Sequence, residues 1–173
     1  GASDGCGIAV LQLCKAMDVP RVVGICSGKN ADFVKDAGAT EVVDYTDGEK
    51  LNTFFEENKG KMDCVFDAAT GSGGGENYWE KSIPLLKEKS GHYVALNGPA
   101  GKWMRKFVGI QKERQTIILS QFTTEDLETV TRLLDKISVK PIVTTMSFTD
   151  EGVRNAFDML KSRRTKGKIV IEI

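Results

Sequence analysis

The stretch GASDGCGIAVLQLCKAM, residues 1–17, decides which fold this chain can adopt. Three of its first seven residues are glycines, and only Gln12 and Lys15 interrupt the apolar surface that follows before Asp18. This pattern predicts a glycine-rich turn that opens a helix buried on most of its sides. Short residues at a helix start let backbone N–H groups and the positive helix end approach an anion, so the turn is a candidate phosphate-binding site.

The spacing of the glycines leaves the function of this turn open. The dinucleotide-binding pattern GxGxxG is not met, because its other two glycines, counted back from Gly7, fall on Ala2 and Asp4. A glycine-rich turn also ends many ordinary loops. If the turn does bind a phosphate, the binding residues are Ser3, Asp4, Gly5, Cys6 and Gly7.

The composition is that of a globular domain. The 173 residues are 40% hydrophobic and 28% charged, which allows one domain with a sizeable core. Twenty-four basic residues balance twenty-four acidic ones, so the charge argues against nucleic acid as a partner. No apolar run approaches the length of a membrane span and no signal peptide is present, so we predict a cytoplasmic protein without a span. Organelle targeting stays open, because we expect further residues before Gly1.

The cysteine and histidine content argues against a metal site. Cys6, Cys14, Cys26 and Cys64 occur in apolar patterns without a CxxC spacing. We therefore interpret them as small buried hydrophobes in a reducing compartment. His92 is the only histidine, so we predict no bound metal.

Short β-branched runs alternate with helical patterns along the rest of the chain. We predict strands at 21–26, 41–44, 62–67, 92–96, 116–120 and 168–173, with helices after Asn30, around 51–55, at 76–86, after Thr123 and after Thr149. Asn30, Thr123 and Thr149 are predicted to cap their helices, and the last two helices each carry an apolar face. No regular fold is predicted for residues 101–115. The alternation predicts an α/β fold with a parallel sheet, whose ligand loops follow the carboxyl ends of the strands.

Seven blocks in order point to a family: GASDGCG, IAVLQLCKAM, VVGICSGKN, DAGATEVVDY, MDCVFDAATG, HYVALNG and SRRTKGKIVIEI. The chain resembles the cofactor-binding domain of medium-chain dehydrogenases/reductases, in the zinc-independent quinone oxidoreductase branch that includes zeta-crystallin. The resemblance implies a Rossmann-type doubly wound parallel sheet over residues 1–145 and a segment, 146–173, that returns to the catalytic domain. It also implies that the central first strand and the N-terminal catalytic domain precede Gly1. We accordingly expect the closing strand to find no sheet within this chain.

The residues after the strand at 21–26 indicate which dinucleotide would bind. Enzymes that use NAD usually carry Asp or Glu here to hold the ribose 2′-hydroxyl, whereas this chain has Cys26-Ser27-Gly28-Lys29-Asn30. A 2′-phosphate can bond to the Ser27 hydroxyl and pair with the Lys29 ammonium. Lys29 could equally be a solvated loop charge.

The resemblance adds further candidate contacts for NADPH. It implies that Tyr45 and Arg163 reach the 2′-phosphate, and that the turn containing Asn97 and Gly98 borders the nicotinamide. Tyr45 could instead pack a strand end, and Arg163 could be a cation at a helix C-terminus.

The activity implied by the resemblance is hydride transfer from NADPH to a quinone or an enone, in a homodimeric enzyme. No catalytic residue is assigned, and Asp67 is interpreted as the cap of a turn rather than a proton relay. The alternative is a non-catalytic family member that acts as a scaffold, crystallin or partner-binding protein. Asp4 favours that alternative, because this branch commonly has glycine there. As a helix cap, Asp4 would compete with the cofactor, and we expect its side chain to turn outward when NADPH binds.

Overall fold

The computed structural model describes residues 1–71, 77–110, 114–118, 123–139, 141–162 and 165–173. The chain forms two compact units. Residues Gly1–Val43 and Thr123–Ile173 form the first unit, and Asp44–Phe122 form the second. This division does not test the predicted boundary at 145/146, which concerned a contact with a catalytic domain and stays a prediction.

Helices and strands alternate along the chain, as the sequence pattern predicts. In order they are α1 (Gly5–Ala16), β1 (Val23–Cys26), α2 (Ala31–Asp36), β2 (Glu41–Asp44), α3 (Gly48–Glu57), β3 (Cys64–Asp67), α4 (Trp79–Ser82), β4 (His92–Ala95), α5 (Ala100–Phe107), β5 (Gln115–Ile117), α6 (Thr124–Asp135), β6 (Val143–Ser147), α7 (Asp150–Ser162) and β7 (Lys168–Glu172). Short 3-10 helices cover Gly28–Asn30 and Ile83–Leu85.

The strands pair in three sheets. β1 pairs with β2, β3 to β5 form a three-stranded parallel sheet, and β6 and β7 pair in parallel. In the three-stranded sheet Asp67 lies opposite Ala95, and Ala95 opposite Ile117, so the three carboxyl ends share one edge. The predicted α/β fold with parallel sheets is confirmed.

The expectation that the closing strand has no partner within the chain is wrong. Residues 168–172 of β7 pair in register with 143–147 of β6. We did not predict β6, although its sequence, VTTMS, is β-branched and therefore suited to a strand. Backbone hydrogen bonds to β6 thus pair one edge of β7 within this chain.

The core of the first unit lies where α1 meets the strand β1 and the helix α2. Its buried members are apolar and small, namely Ile8, Leu11, Cys26, Val34, Ala37 and Ala39. Gly38 ends α2 with a φ of 129°, and a Cβ there would lie 2.6 Å from the Leu11 carbonyl oxygen. A glycine is therefore required for α2 to end against α1.

The core of the second unit is aromatic. Trp79 and Tyr93 are almost fully buried, with ring centroids 4.5 Å apart and planes inclined by 53°. Ala95 and Ile117 complete this cluster. Trp79 is therefore a core residue of this unit.

Several local predictions have mixed outcomes. Thr123 caps α6 in a capping box with Asp126, and the Thr149 hydroxyl accepts from the Gly152 N–H, as expected from the sequence. The apolar faces predicted for α6 and α7 are, however, only partly covered. Leu127, Phe157 and Leu160 are 58%, 56% and 54% exposed, whereas the other face residues are half-buried or buried, except for the exposed Val130. The helix predicted at 76–86 is confined to α4 and a 3-10 turn. The helix α5 forms where no pattern was predicted.

Two of the four cysteines are exposed. Cys26 lies in the core and Cys14 is partly buried, where loss of solvation raises the pKa of the Cys14 thiol. Cys6 and Cys64 are exposed, so the prediction that all four are buried is wrong for these two. Cys6 is exposed because the turn of α1 that carries it turns Gly7 and Ile8, rather than Cys6, inward.

Across the described ranges, no helix combines the length and the apolar character that crossing a membrane requires.

Candidate functional site

The glycine turn leads directly into α1 and is closed by Asp4. Asp4 is the N-cap residue, and its Oδ1 accepts a hydrogen bond of 2.7 Å from the Gly7 N–H. The Asp4 carbonyl oxygen also accepts from the Ile8 N–H at 2.9 Å. The capping interpretation of Asp4 is therefore confirmed. In this conformation its side chain faces the helix start, and turning outward for a cofactor would require this cap bond to break.

Both helical glycines of the turn lie where backbone passes close by. A Cβ on Gly7 would lie 2.0 Å from the Gly1 carbonyl oxygen, a separation that no side chain can accommodate. A Cβ on Gly5 would lie 3.2 Å from the Gly167 carbonyl oxygen. The glycines thus allow the turn to fold over α1 and the C-terminal segment to approach its start.

The start of α1 offers two unpaired donors to an anion. Helix geometry leaves the first N–H groups without intrahelical partners. Asp4 satisfies the N–H of Gly7, whereas those of Gly5 and Cys6 have no acceptor among the described residues. The turn therefore fits a phosphate through two N–H groups and the helix dipole. The Asp4 carboxylate opposes such an anion, because it adds negative charge at the same helix end.

The loop after β1 carries the predicted 2′-phosphate contacts. Ser27 is buried and begins the 3-10 helix Gly28–Asn30 without capping it through its hydroxyl. Lys29 is exposed and forms no ion pair within the described part of the chain. No acidic residue lies between Cys26 and Asn30. The loop is therefore suited to an anionic group.

Asn30 joins this loop to the glycine turn. The sequence predicts Asn30 as the cap of α2, and it does occupy the N-cap position, but its side chain makes no capping bond. Instead its Nδ2 donates a hydrogen bond of 3.2 Å to the Ser3 hydroxyl. The predicted side-chain cap is thus wrong: no helix N–H donates to the Asn30 side chain, whose amide group instead donates to a tertiary partner. The bond brings together the two segments that the sequence predicts to bind the phosphates of one ligand.

The other predicted contacts are distributed over the chain. Arg163 lies outside the described residues. Tyr45 directly follows β2, belongs to the second unit and is 48% exposed. Asn97 and Gly98 also belong to the second unit, in the turn after β4.

Asn97 holds its own turn together. Its Oδ1 accepts from the Gly98 N–H at 2.8 Å and from the Trp103 Nε1 at 2.9 Å, and its Nδ2 donates to the Gly71 carbonyl at 3.1 Å. The side chain therefore links the loops that follow β3 and β4 to the helix α5. Its role toward a cofactor stays a prediction.

A buried carboxylate organises the carboxyl edge of the three-stranded sheet. Asp67 ends β3, and its Oδ1 accepts from the Ala69 and Thr70 N–H groups at 2.8 and 2.9 Å. Its Oδ2 accepts from the hydroxyls of Thr70 and Tyr93. The interpretation of Asp67 as a turn cap is confirmed, whereas its bond to Tyr93 was not foreseen.

Tyr93 is kept protonated by its surroundings. Burial raises the pKa of the Tyr93 phenol above its ordinary value, and the hydrogen bond to Asp67 raises it further. Because a protonated phenol donates and the carboxylate only accepts, the pair is satisfied without a cation. Within the described ranges, no group of three or more His, Cys, Asp or Glu residues could hold a metal ion. The absence of a metal stays a prediction for the whole chain.

The parallel α/β fold and the glycine turn that opens α1 define a Rossmann-type cofactor-binding domain. The chain belongs to the zinc-binding dehydrogenase family, whose profile matches residues 37–171, within the medium-chain dehydrogenase/reductase superfamily. The family predicted from the sequence is confirmed at this level. Its zinc-independent branch stays a prediction.

The chain is similar to fungal proteins and to bacterial quinone oxidoreductases. It is 27% identical over 196 residues to Protein YIM1-2 of Lachancea thermotolerans, covering 100% of this chain and 53% of that protein. It is 26% identical over 174 residues to a probable zinc-binding oxidoreductase, mitochondrial, of Arthroderma benhamiae, covering 99% of the chain and 50% of the relative. The quinone oxidoreductase of Coxiella burnetii superposes with a TM-score of 0.74 at 22% identity, over 100% of this chain and 51% of that structure. The chain spans about half the length of these relatives.

Proposed function

We propose that this chain is the cofactor-binding part of an NADPH-dependent oxidoreductase. The observation that carries the proposal is the hydrogen bond from Asn30 to Ser3, which holds the glycine turn against a loop without carboxylates. One ligand with two separate phosphate groups fits these two segments. The similarity to Escherichia coli quinone oxidoreductase, a structure complexed with NADPH, supports the same cofactor: the TM-score is 0.71 at 22% identity, over 99% of this chain and 55% of that one.

The roles of the residues follow from their chemistry. The N–H groups of Gly5 and Cys6 would bind the pyrophosphate at the positive end of α1. The Ser27 hydroxyl and the Lys29 ammonium would bind the 2′-phosphate. Tyr45, Asn97, Gly98 and Arg163 remain candidate contacts, as the resemblance implies.

The substrate that we propose is a small quinone or enone. NADPH, when bound, supplies the hydride, and the protein orients the ring and excludes water. Relatives named as a quinone oxidoreductase and as a trans-enoyl reductase support these two electron-poor acceptors. We assign no catalytic residue. A homodimer in the cytoplasm stays a prediction.

Cofactor titrations of the full-length protein test this proposal. Calorimetry gives the dissociation constant of each cofactor. NADPH should bind more tightly than NADH, because Ser27 and Lys29 each add a charge-assisted contact worth on the order of 1.5–3 kcal/mol. Equal affinities would refute the 2′-phosphate assignment. An absence of binding by both cofactors, checked by calorimetry, would instead favour a scaffold or partner-binding protein.

A further inference from the structure

A second cation of the first unit lies close to the candidate 2′-phosphate loop. The Lys166 Nζ lies 5.0 Å from the centroid of the Phe33 ring. Phe33 belongs to α2, which begins directly after the loop, and it follows Lys29 by four residues. Lys29 lies in the 3-10 helix Gly28–Asn30, which directly precedes α2. The C-terminal segment thus brings Lys166 to the first turn of the helix that follows the candidate loop.

The backbone that directly follows Lys166 is anchored to neighbouring segments of the first unit. Gly167 has a φ of 69°, and a Cβ there would lie 2.2 Å from the Ile142 carbonyl oxygen. The same oxygen accepts a 2.9 Å hydrogen bond from the Lys168 N–H, where β7 begins. The Gly167 carbonyl also borders Gly5 in the glycine turn. Lys166 is therefore placed by the fold rather than by a loose tail.

The charge of Lys166 is not neutralised within the described residues. Lys166 is exposed and forms no ion pair there, and an aromatic face attracts a cation without cancelling its charge. Lys29 is also exposed and forms no ion pair within the described residues. Two ammonium groups without ion pairs, against the carboxylate of Asp32 in the first turn of α2, favour an anion at this position.

We infer that Lys166 is a specificity-determining residue whose ammonium binds the 2′-phosphate of NADPH together with Lys29. This inference rests on the proposed function, because it assumes that the Ser27–Asn30 loop receives that phosphate. The contact with Phe33 holds the lysine side chain in place and lowers the entropy that is lost on binding. If Lys166 only packs on Phe33, its charge has no effect on the ligand.

The test isolates the 2′-phosphate from the rest of the cofactor. Adenosine 2′,5′-bisphosphate and 5′-AMP differ by that one group, and calorimetry on the full-length protein gives their dissociation constants. Lys166→Gln should weaken adenosine 2′,5′-bisphosphate about tenfold, which corresponds to about 1.4 kcal/mol, and leave 5′-AMP unchanged. Lys166→Arg should retain the wild-type affinity, because the guanidinium keeps both the charge and the contact with the ring.

Lys168→Gln is the matched control. Lys168 is also exposed and lies two residues further on, so its loss removes the same charge from the same segment. The affinity of the Lys168→Gln variant for adenosine 2′,5′-bisphosphate should equal that of the wild type. Thermal unfolding of each variant verifies that the fold is kept.

Three results would overturn the inference. The first is unchanged bisphosphate affinity in Lys166→Gln, and the second is an equal loss for 5′-AMP, which would mean a general effect on the fold. In either case a wild-type preference for the bisphosphate would leave the proposed function intact. The third is a wild-type protein that does not distinguish the two probes, which would refute the proposed 2′-phosphate site and this inference together.

Discussion

Replacing Asp4 should change cofactor affinity and stability in opposite directions. Its carboxylate bonds the Gly7 N–H at 2.7 Å, at the helix end where the pyrophosphate would bind. Asp4→Gly removes a negative charge and frees that N–H for the ligand. NADPH should therefore bind more tightly, while α1 loses a side-chain cap.

The magnitude of the gain follows from the charge separation. A carboxylate about 5 Å from a pyrophosphate charge is repelled by about 1 kcal/mol at the dielectric of water and by about 3 kcal/mol at an effective value of 20. A roughly tenfold decrease in the NADPH dissociation constant lies within this range. The loss of the cap costs a few tenths of a kcal/mol with glycine, and roughly 0.5–2 kcal/mol with alanine.

Asp4→Asn separates the two effects. Asparagine keeps an oxygen that can accept from Gly7 and removes the charge, so it should retain most of the stability and gain part of the affinity. The assay is calorimetric titration of NADPH into the full-length variants, together with their thermal unfolding. Unchanged affinity in both variants would refute the reasoning, because it would mean that no phosphate approaches this end of α1.

Three further predictions concern the cofactor loop, the buried pair and the glycine turn. Lys29→Ala should narrow the preference for NADPH over NADH, because a phosphate contact is lost. Lys35→Ala removes another exposed lysine from the same region and should leave this preference unchanged. An equal loss of the preference in both variants would contradict the assignment. Burial and the hydrogen bond to Asp67 raise the pKa of Tyr93, so its contribution to the free energy of unfolding should be fully present below pH 10 and should fall above it by about 1.4 kcal/mol per pH unit. Urea unfolding should therefore show a shallower alkaline decline in Tyr93→Phe than in the wild type, and identical slopes would argue against the raised pKa. Gly7→Ala would place a Cβ 2.0 Å from a backbone oxygen and should impair both thermal stability and NADPH binding, whereas Gly48→Ala, with nothing within 4 Å, should leave both nearly unchanged.

Local signals in the sequence were sufficient for most of the elements and for the start of α1, but not for α5 or β6. Asp4, Thr123 and Thr149 all cap helices as their residue types predict, because capping depends on atoms within a few residues of each other. The short apolar runs form strands because strand preference also depends on the residue types within each run. β6 was missed although its β-branched residues are suited to a strand, and its pairing with β7 is visible only in the tertiary structure.

Contacts between distant residues could be found only in the tertiary structure. Asn30 has the residue type of a helix cap, yet it bonds Ser3, which lies 27 residues away in sequence. Asp67 and Tyr93 are separated by 26 residues, and nothing local to either residue shows that the Tyr93 hydroxyl donates a hydrogen bond to the Asp67 carboxylate. The basic residues around Gly167 indicate from the sequence that this segment could bind an anion. The position of Lys166 over the Phe33 ring is visible only in the tertiary structure. Local chemistry determines what each residue can do, whereas the path of the chain decides which partner it meets.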